Sequence, residues 1–289
     1  MIDNSEPANL SVSMQPSFSN TTYRYPHERL ILALTILLVL GVIALTVPAT
    51  LCLSVVFILA VLVMSYQASQ SQHHSLLRGA LRVTSENATV LANLVTETAN
   101  QLQVNDLDVF VIRDNALNAY TFGLTTPKTI VLFSALLETM DRDELKFIIG
   151  HEMGHITLGH TWLNSLIGGM AGIPSSMAAS VLLVLAFRWW NRTCELSADR
   201  AGLLTCGKPE KAISALVKLV AGNLGGSTSA LQRALISIEN EQDGWLNDFT
   251  ELIATHPMIV HRIKQIRQYI NTQEYKKLQT LMLNNQATA

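Results

Sequence analysis

Residues 147–155 read FIIGHEMGH, an apolar approach to an HExxH motif. On a helix that turns about 100° per residue, His151 and His155 lie one turn apart on the same face, so both imidazoles can bind one metal ion. Glu152 lies beside them, where its carboxylate can take a proton from a water molecule activated by that ion. This arrangement is typical of zinc hydrolases and predicts one Zn²⁺ cofactor per chain.

Catalytic zinc keeps one position open for water, so a third protein ligand has to come from elsewhere in the chain. The longer metzincin motif is excluded, because Leu158 and Thr161 stand where that pattern needs Gly and His. His160 falls about 140° around a continuing helix from His155. This angle predicts that His160 is either solvated or placed behind the ligands.

A second motif supplies a carboxylate ligand. Residues 193–202 read TCELSADRAG, in which Glu195 and Asp199 are four residues apart and share a helical face. One carboxylate can reach the metal while the other accepts the free ring N–H of a ligating histidine and fixes its tautomer. The spacing alone does not decide which carboxylate has which role.

HEMGHITLGH at 151–160, followed by ELSADRAGLL at 195–204, resembles the HtpX-like and CAAX-prenyl-endopeptidase-like membrane zinc metallopeptidases, which are gluzincins. The resemblance extends over residues 84–270. It implies that Glu152 is the general base, that Glu195 is the third metal ligand, and that Asp199 supports the ligands from behind.

Two shorter stretches also resemble that family. The sequence NAY beginning at Asn118 resembles a strand start common there, which makes Asn118 a candidate substrate-binding residue, with a simple turn residue as the alternative. The second stretch is THP at 255–257, followed by Arg262 and Ile263.

His256 is a candidate catalytic residue within that second stretch. A residue directly before proline is held away from helical conformation, so the His256 side chain can project from a loop. It could donate to the developing oxyanion, which the two motif helices leave without a donor. It could instead occupy the fourth zinc position and make the enzyme latent, or it could be a surface histidine.

Composition indicates a membrane protein, since 49% of the 289 residues are hydrophobic and only 15% are charged. The formal net charge of −2 gives no reason to expect a nucleic-acid partner. Three cysteines, with Cys52 inside an apolar run, form no disulfide framework and suit a reducing compartment. The expected partners are protein or peptide substrates and the lipid bilayer, and the oligomeric state stays open.

Residues 30–64 contain no charged side chain, and as one helix they would be about 52 Å long against a hydrocarbon core of about 30 Å. Pro48 at the midpoint favours two short transmembrane helices, 30–47 and 49–64, over a single kinked helix. Arginines flank both ends of this hairpin, whereas its turn has no charge. The positive-inside rule then places both ends, and the active site, in the cytoplasm.

The fold class predicted is mostly α with a small β-sheet, a zincin-type α+β protease domain following an N-terminal transmembrane hairpin. The predicted regions are a disordered tail, the hairpin, the metallopeptidase domain and a C-terminal tail, at 1–28, 29–66, 84–270 and 271–289. Strands are expected at 107–112, 118–122 and 129–133. A capping box at Asp141 and Glu144 begins the zinc helix, which is expected to reach about His160.

A further apolar stretch at 163–187 separates the two motifs. Because His155 and Glu195 must hold the same ion, this stretch has to begin and end on one side of the membrane, and it is too short for two full crossings. We expect a shallow hairpin broken near Pro174 that dips into the bilayer or packs on the first pair of helices. A buried soluble hairpin is the alternative.

These features predict a membrane-anchored zinc metalloendopeptidase that cleaves unfolded or membrane-associated proteins, as in membrane protein quality control. One alternative is a CAAX-type protease of prenylated peptides, which would need an intramembrane chamber with more helices than this sequence supplies. The other is a membrane scaffold with structural zinc. A closed structural site would require a fourth ligand and would have no use for Glu152.

Overall fold

The computed structural model describes residues 23–49, 77–123, 126–161, 178–223 and 257–287, together with single helical positions between 56 and 71. It is mostly helical with one small sheet, as the sequence predicts. The helices with defined ends are α1 (Glu28–Ala49), α2 (Thr89–Leu102), α3 (Ser134–Thr139), α4 (Arg142–Thr157), α5 (Ala178–Cys206), α6 (Pro209–Asn223), α7 (Pro257–Ile270) and α8 (Gln273–Ala287). The strands are β1 (Leu81–Arg82), β2 (Leu107–Ile112), β3 (Ala119–Phe122) and β4 (Lys128–Phe133).

The sheet has the strand order β1-β2-β4-β3. β2 and β4 are parallel, whereas β1 is antiparallel to β2 and β3 is antiparallel to β4. The three predicted strands are confirmed to within one residue, and the two-residue β1 is an addition that its short length hid from the sequence. β3 is therefore an edge strand of the described sheet, on the side that contacts α4.

The capping box that begins the HExxH helix is confirmed. The Asp141 side chain accepts from the backbone N–H groups of Asp143 and Glu144, and the Glu144 carboxylate accepts from the Asp141 N–H. The helix α4 ends at Thr157, earlier than predicted, because Gly159 has a φ of 76° that an α-helix cannot contain.

The helices α4 and α5, which carry the two motifs, approach each other unusually closely through glycines. Gly150 and Gly154 on α4 and Gly202 on α5 lie at this contact. A Cβ on Gly154 would lie 2.7 Å from the Ala201 Cβ, and one on Gly202 would lie 2.5 Å from the Phe147 carbonyl oxygen. Both distances are below van der Waals contact, so this spacing of the helices requires glycine.

The segment before α1 packs on the domain. Tyr23 is fully buried, and its hydroxyl lies 2.5 Å from the Thr157 hydroxyl. The Tyr25 N–H donates to the Ser197 hydroxyl on α5 at 2.8 Å. Residues 23–28 were expected to end the disordered N-terminal tail, but they form part of the domain, and residues 1–22 lie outside the described part of the chain.

Within the described residues, α1 is the one helix that is long and apolar enough to cross a membrane. Several of its leucines are exposed, among them Leu37 and Leu45, and it contacts α5. α1 continues through Pro48 to Ala49, whereas we expected a turn at Pro48. Most of the second predicted helix, 49–64, lies outside the described residues, so the hairpin stays a prediction.

The apolar stretch at 163–187 is described only from Ala178 onward, so the expected break near Pro174 lies outside the described residues. From Ala178 the chain forms one uninterrupted helix, α5, which continues through Glu195 to Cys206 over 29 residues. The second half of the predicted hairpin and the helix with the third ligand are therefore the same element. The sequence has no proline between Ala178 and Cys206 that would divide it.

The contact between α4 and α5 can be tested with Gly154→Ala. The added Cβ forces the helices apart, so we expect the free energy of unfolding to fall by about 1–3 kcal/mol, as for other overpacked cores. Zinc affinity should fall as well, because the two helices carry the ligands. Denaturant unfolding and chelator competition measure the two effects.

Gly41→Ala is the matched control, because the Cβ it adds to α1 meets no atom of the described residues within 4 Å. Its stability should stay within about 1 kcal/mol of wild type. Wild-type stability and zinc affinity in Gly154→Ala would contradict the proposed constraint.

Candidate metal centre

Three side chains from α4 and α5 converge on one point. The Nε2 atoms of His151 and His155 lie 3.2 Å apart, and each lies 3.5 Å from an oxygen of Glu195. These ligand atoms all lie within 4.8 Å of one another, which allows a single ion to contact all three. The helical spacing supplies the histidine pair, and the close contact between the helices brings Glu195 to it.

The tautomers of the histidines fit a metal ion. The Nδ1 atom of His151 lies 3.0 Å from Asp199 Oδ1, so this nitrogen carries a proton, and Nε2 would present its lone pair to a bound ion. The Nδ1 atom of His155 is likewise engaged, by His160 at 3.0 Å. Two nitrogen donors and one carboxylate match the ligands of catalytic zinc, so the residues fit the ion that the sequence predicts.

Arg262 of α7 joins the carboxylates of the second motif. The sequence singled out Arg262 as part of a family resemblance but did not reveal this role. Its Nε and Nη2 donate to the two oxygens of Asp199 at 2.7 and 2.5 Å, and Nη1 lies 3.2 Å from Glu195. A buried carboxylate, Asp199, four residues from the partly buried Glu195 needs a cation nearby. That need was the signal that could have pointed to an arginine. The Arg262 guanidinium holds Asp199 against His151. It also holds Glu195 toward the point at which the two histidines converge.

His160 has a different position from the one predicted by helical geometry. The 140° estimate assumed a helix that continues to His160, but the turn at Gly159 returns the side chain to His155. It is 1% exposed, which rules out the solvated alternative and leaves the position behind the ligands. On its other side, its Nε2 lies 3.1 Å from a carboxylate oxygen of Glu28, the first residue of α1.

Glu152 is buried, and a residue of the sheet holds its carboxylate in place. The Thr121 hydroxyl, on the edge strand β3, donates to Glu152 Oε2 at 2.6 Å. Burial raises the pKa of Glu152, against the opposing effects of His151 and of the bond from Thr121. A carboxylate with a raised pKa is a better proton acceptor, which suits a general base.

Burial and neighbouring groups also shift the pKa values of the other residues of the centre. Burial lowers the pKa of His151, but the hydrogen bonds to Asp199 and Glu195 outweigh it and raise the pKa to about 9, so a metal ion that binds at Nε2 would displace the proton from that nitrogen. Burial lowers the pKa of His155 to about 3, against the opposing charge of Glu195. Arg262 outweighs burial and keeps the pKa of Glu195 well below its usual range, so Glu195 is an anion.

Asn118 and His256 were predicted from the sequence as further site residues. Asn118 is exposed, directly precedes β3, and its carbonyl oxygen accepts from the Phe133 N–H at 3.1 Å. His256 lies outside the described residues, directly before the first residue of α7.

Comparisons with known proteins bear on the same residues. The family model described as Peptidase family M48 matches residues 85–270. The chain is 29% identical over 211 residues to the plastoglobule-localized metallopeptidase 48, chloroplastic, of Arabidopsis thaliana, which covers 68% of this chain and 61% of that protein. The chain thus spans about three fifths of the length of this relative.

Two further relatives agree with the resemblance seen in the motifs. A protease HtpX homolog of Tropheryma whipplei (strain Twist) is 26% identical over 235 residues, covering 68% of this chain and 78% of the relative. A CAAX prenyl protease 1 homolog of Dictyostelium discoideum is 40% identical over 79 residues, covering 26% of this chain and 18% of the relative.

The role of Asp199 can be tested with Asp199→Asn. An amide can present its NH₂ group to the His151 N–H and loses the charge that pairs with Arg262, so the imidazole is no longer held in the ligating tautomer. We expect zinc affinity to fall by about 10 to 100-fold, measured by competition with a chelator. The control is Asp106→Asn, an exposed residue at φ 54° that asparagine tolerates, and it should bind zinc like wild type. Unchanged affinity in Asp199→Asn would exclude the orienting role.

Proposed function

This chain belongs to peptidase family M48, and from that membership we propose that it is a membrane-anchored, zinc-dependent endopeptidase. The observation that supports this proposal best is the convergence of His151, His155 and Glu195 on one point beside a buried Glu152. Hydrolysis of peptide bonds with a metal ion follows from the family. The identity of the ion, the membrane anchor and the substrates are the proposed part.

Zinc is the proposed ion because two imidazoles and one carboxylate form its usual catalytic ligand set. When bound, zinc would supply a Lewis acid that polarises the scissile carbonyl and acidifies the attacking water. His151, His155 and Glu195 would hold it. The contacts of Arg262 with Asp199 and Glu195 support the proposal that both keep these ligands oriented.

Glu152 is the proposed general base. It accepts a proton from the attacking water and returns it to the leaving amine, so that peptide hydrolysis needs no other proton carrier. The bond from Thr121 fixes one carboxylate oxygen and keeps the group in place for both transfers. For His256 we retain two proposed roles, a donor to the developing oxyanion or a ligand that blocks the open metal position.

The proposed substrates are unfolded or membrane-associated protein segments. β3 is an edge strand and carries Thr121, which contacts the base Glu152, so an extended peptide paired with β3 would lie next to the catalytic groups. Asn118 at the start of this strand is the proposed contact for the peptide. Such pairing recognises backbone shape more than sequence, which suits a protease of quality control.

An apolar cavity of about 650 Å³ supports substrates with large apolar side chains. It lies between the segment before α1 and the helices α1, α5 and α7. Its lining is mostly apolar and includes Ile31, Trp189 and Leu196, together with the polar side chains of Arg192 and Thr193. Leu196 follows the proposed ligand Glu195, and Trp189 is half exposed beside α1. Apolar segments near a bilayer are therefore the class of substrate that this region favours.

The proposed anchor is the predicted pair of transmembrane helices, of which α1 is the first. Exposed leucines along α1 would be costly in water and are favourable in lipid. The arginines that flank the pair support the proposal that both ends and the metal centre face the cytoplasm.

The general base can be tested with Glu152→Gln. We expect the variant to fold and to retain zinc, because the glutamine is of equal size and is not a ligand, yet to lose at least a hundredfold in kcat on casein. The control Glu138→Gln changes an exposed glutamate on α3 and should keep full activity. Near-normal turnover by zinc-loaded Glu152→Gln would refute the role, and a prenylated peptide as the better substrate would favour the CAAX-type alternative.

The topology can be tested with single cysteines in a background without Cys52. In intact cells, an impermeant thiol reagent should label a cysteine at Ala49 and should label one at Ser71 only after the membrane is permeabilised. Cys194 and Cys206 are buried, so they contribute little background. The opposite labelling pattern would contradict the cytoplasmic site.

A further inference from the structure

His160 connects the proposed ligand His155 to the first turn of α1. Its Nδ1 lies 3.0 Å from Nδ1 of His155, and its Nε2 lies 3.1 Å from Oε1 of Glu28. His160 and Glu28 are each 1% exposed, although they are 132 residues apart in the sequence. Such burial means that each polar atom here depends on its partner in the protein.

Only one set of proton positions satisfies this chain of contacts when His155 binds a metal through Nε2. The Nδ1 atom of His155 must then carry a proton, and it can donate that proton only to Nδ1 of His160. The proton of neutral His160 must therefore lie on Nε2, where it donates to the Glu28 carboxylate. Every donor and acceptor along the path is used, which is the condition for a stable buried network.

Glu28 is itself held in place from two sides. Arg24, one turn earlier, forms an ion pair with Oε1, and the Ser197 hydroxyl donates to Oε2. Ser197 belongs to α5 and lies between Glu195 and Asp199 in the sequence. The carboxylate of Glu28 is therefore fixed to the same helix that carries the third proposed ligand.

We propose that Glu28 is a positioning residue of the metal centre, which acts through His160 to fix the tautomer and orientation of His155. Asp199 has the same relation to His151, but by direct contact. The inference rests on the proposed zinc function and adds to it that the first turn of the apolar helix α1 is part of the metal centre. Carboxylates that orient ligating histidines typically change metal affinity by about 10 to 100-fold.

The same cluster could instead be considered a second metal site, because ligand atoms of Glu28, His160 and Cys194 lie within 4.8 Å of one another. The Arg24 guanidinium argues against this interpretation, since it already neutralises Glu28 and would repel a cation bound there. Both nitrogens of His160 are also engaged in the path described above. The contacts fit a hydrogen-bonded support better than an ion site.

The test is Glu28→Gln in the full chain, purified in detergent, with zinc affinity measured by competition with a chelator. Loss of the carboxylate should weaken zinc binding by about 10 to 100-fold. Glu138→Gln is the matched control and should bind like wild type. A double-mutant cycle with His160→Asn separates positioning from a general loss of stability, because the effect of Glu28→Gln should disappear when His160 is absent.

If Glu28→Gln does not fold, Ser197→Ala provides a milder version of the same test. It removes one donor to Glu28 and should weaken zinc binding severalfold, again only when His160 is present. Wild-type affinity in the variant that folds, or an equal loss with and without His160, would overturn the inference.

Three further outcomes of the experiment distinguish this inference from its alternatives. Wild-type protein that binds two zinc ions, with one lost in Cys194→Ser, would replace the positioning role with a second site. Wild-type protein that binds no zinc would refute the proposed function itself. Wild-type protein that binds one zinc ion and hydrolyses casein, together with Glu28→Gln that matches it in both, would refute only the role of Glu28.

Discussion

The close contact between α4 and α5 is the constraint on which the metal centre depends. One helix carries both histidines and the other carries Glu195, so the distance between the helix axes sets the distance between the ligands. Glycines at the contact allow an approach that any larger residue would prevent. The sheet, α2 and α6 pack around α4 and hold it in this position. The rest of the fold thus holds α4 and α5 at the distance that the metal centre requires.

Around this pair, each of the two histidines proposed as ligands has its own carboxylate, which comes from a different part of the chain. Asp199 reaches His151 directly and is held by Arg262 of α7, whereas Glu28 of α1 reaches His155 through His160. The two ends of the domain therefore meet at the metal centre. Such outer contacts matter because an imidazole with a wrong tautomer cannot bind a cation, however close it lies.

The sequence predicted the parts of the site whose geometry is local. Helical spacing places His151 next to His155, and Glu195 next to Asp199, before any tertiary contact forms. The capping box at Asp141 and the strand boundaries are equally local. Glu28 was not predicted, and Arg262 was noted as part of a family resemblance without a role, because their contacts depend on how distant segments pack. His160 is an intermediate case, since Gly159 was a visible helix-ending signal that the angular estimate ignored.

The continuity of α5 has a practical consequence for anyone who seeks a soluble form of the enzyme. Its 29 residues make a rod about 43 Å long, which begins in the apolar stretch and carries Glu195 in its second half. Trimming the apolar end would shorten the rod itself and expose its new terminus near the ligand. Removing α1 would take away Glu28 and the cover over Cys194 and Trp190. A more soluble form would therefore have to be obtained by replacing exposed apolar side chains, such as Leu37 and Leu185, with the backbone of both helices left intact.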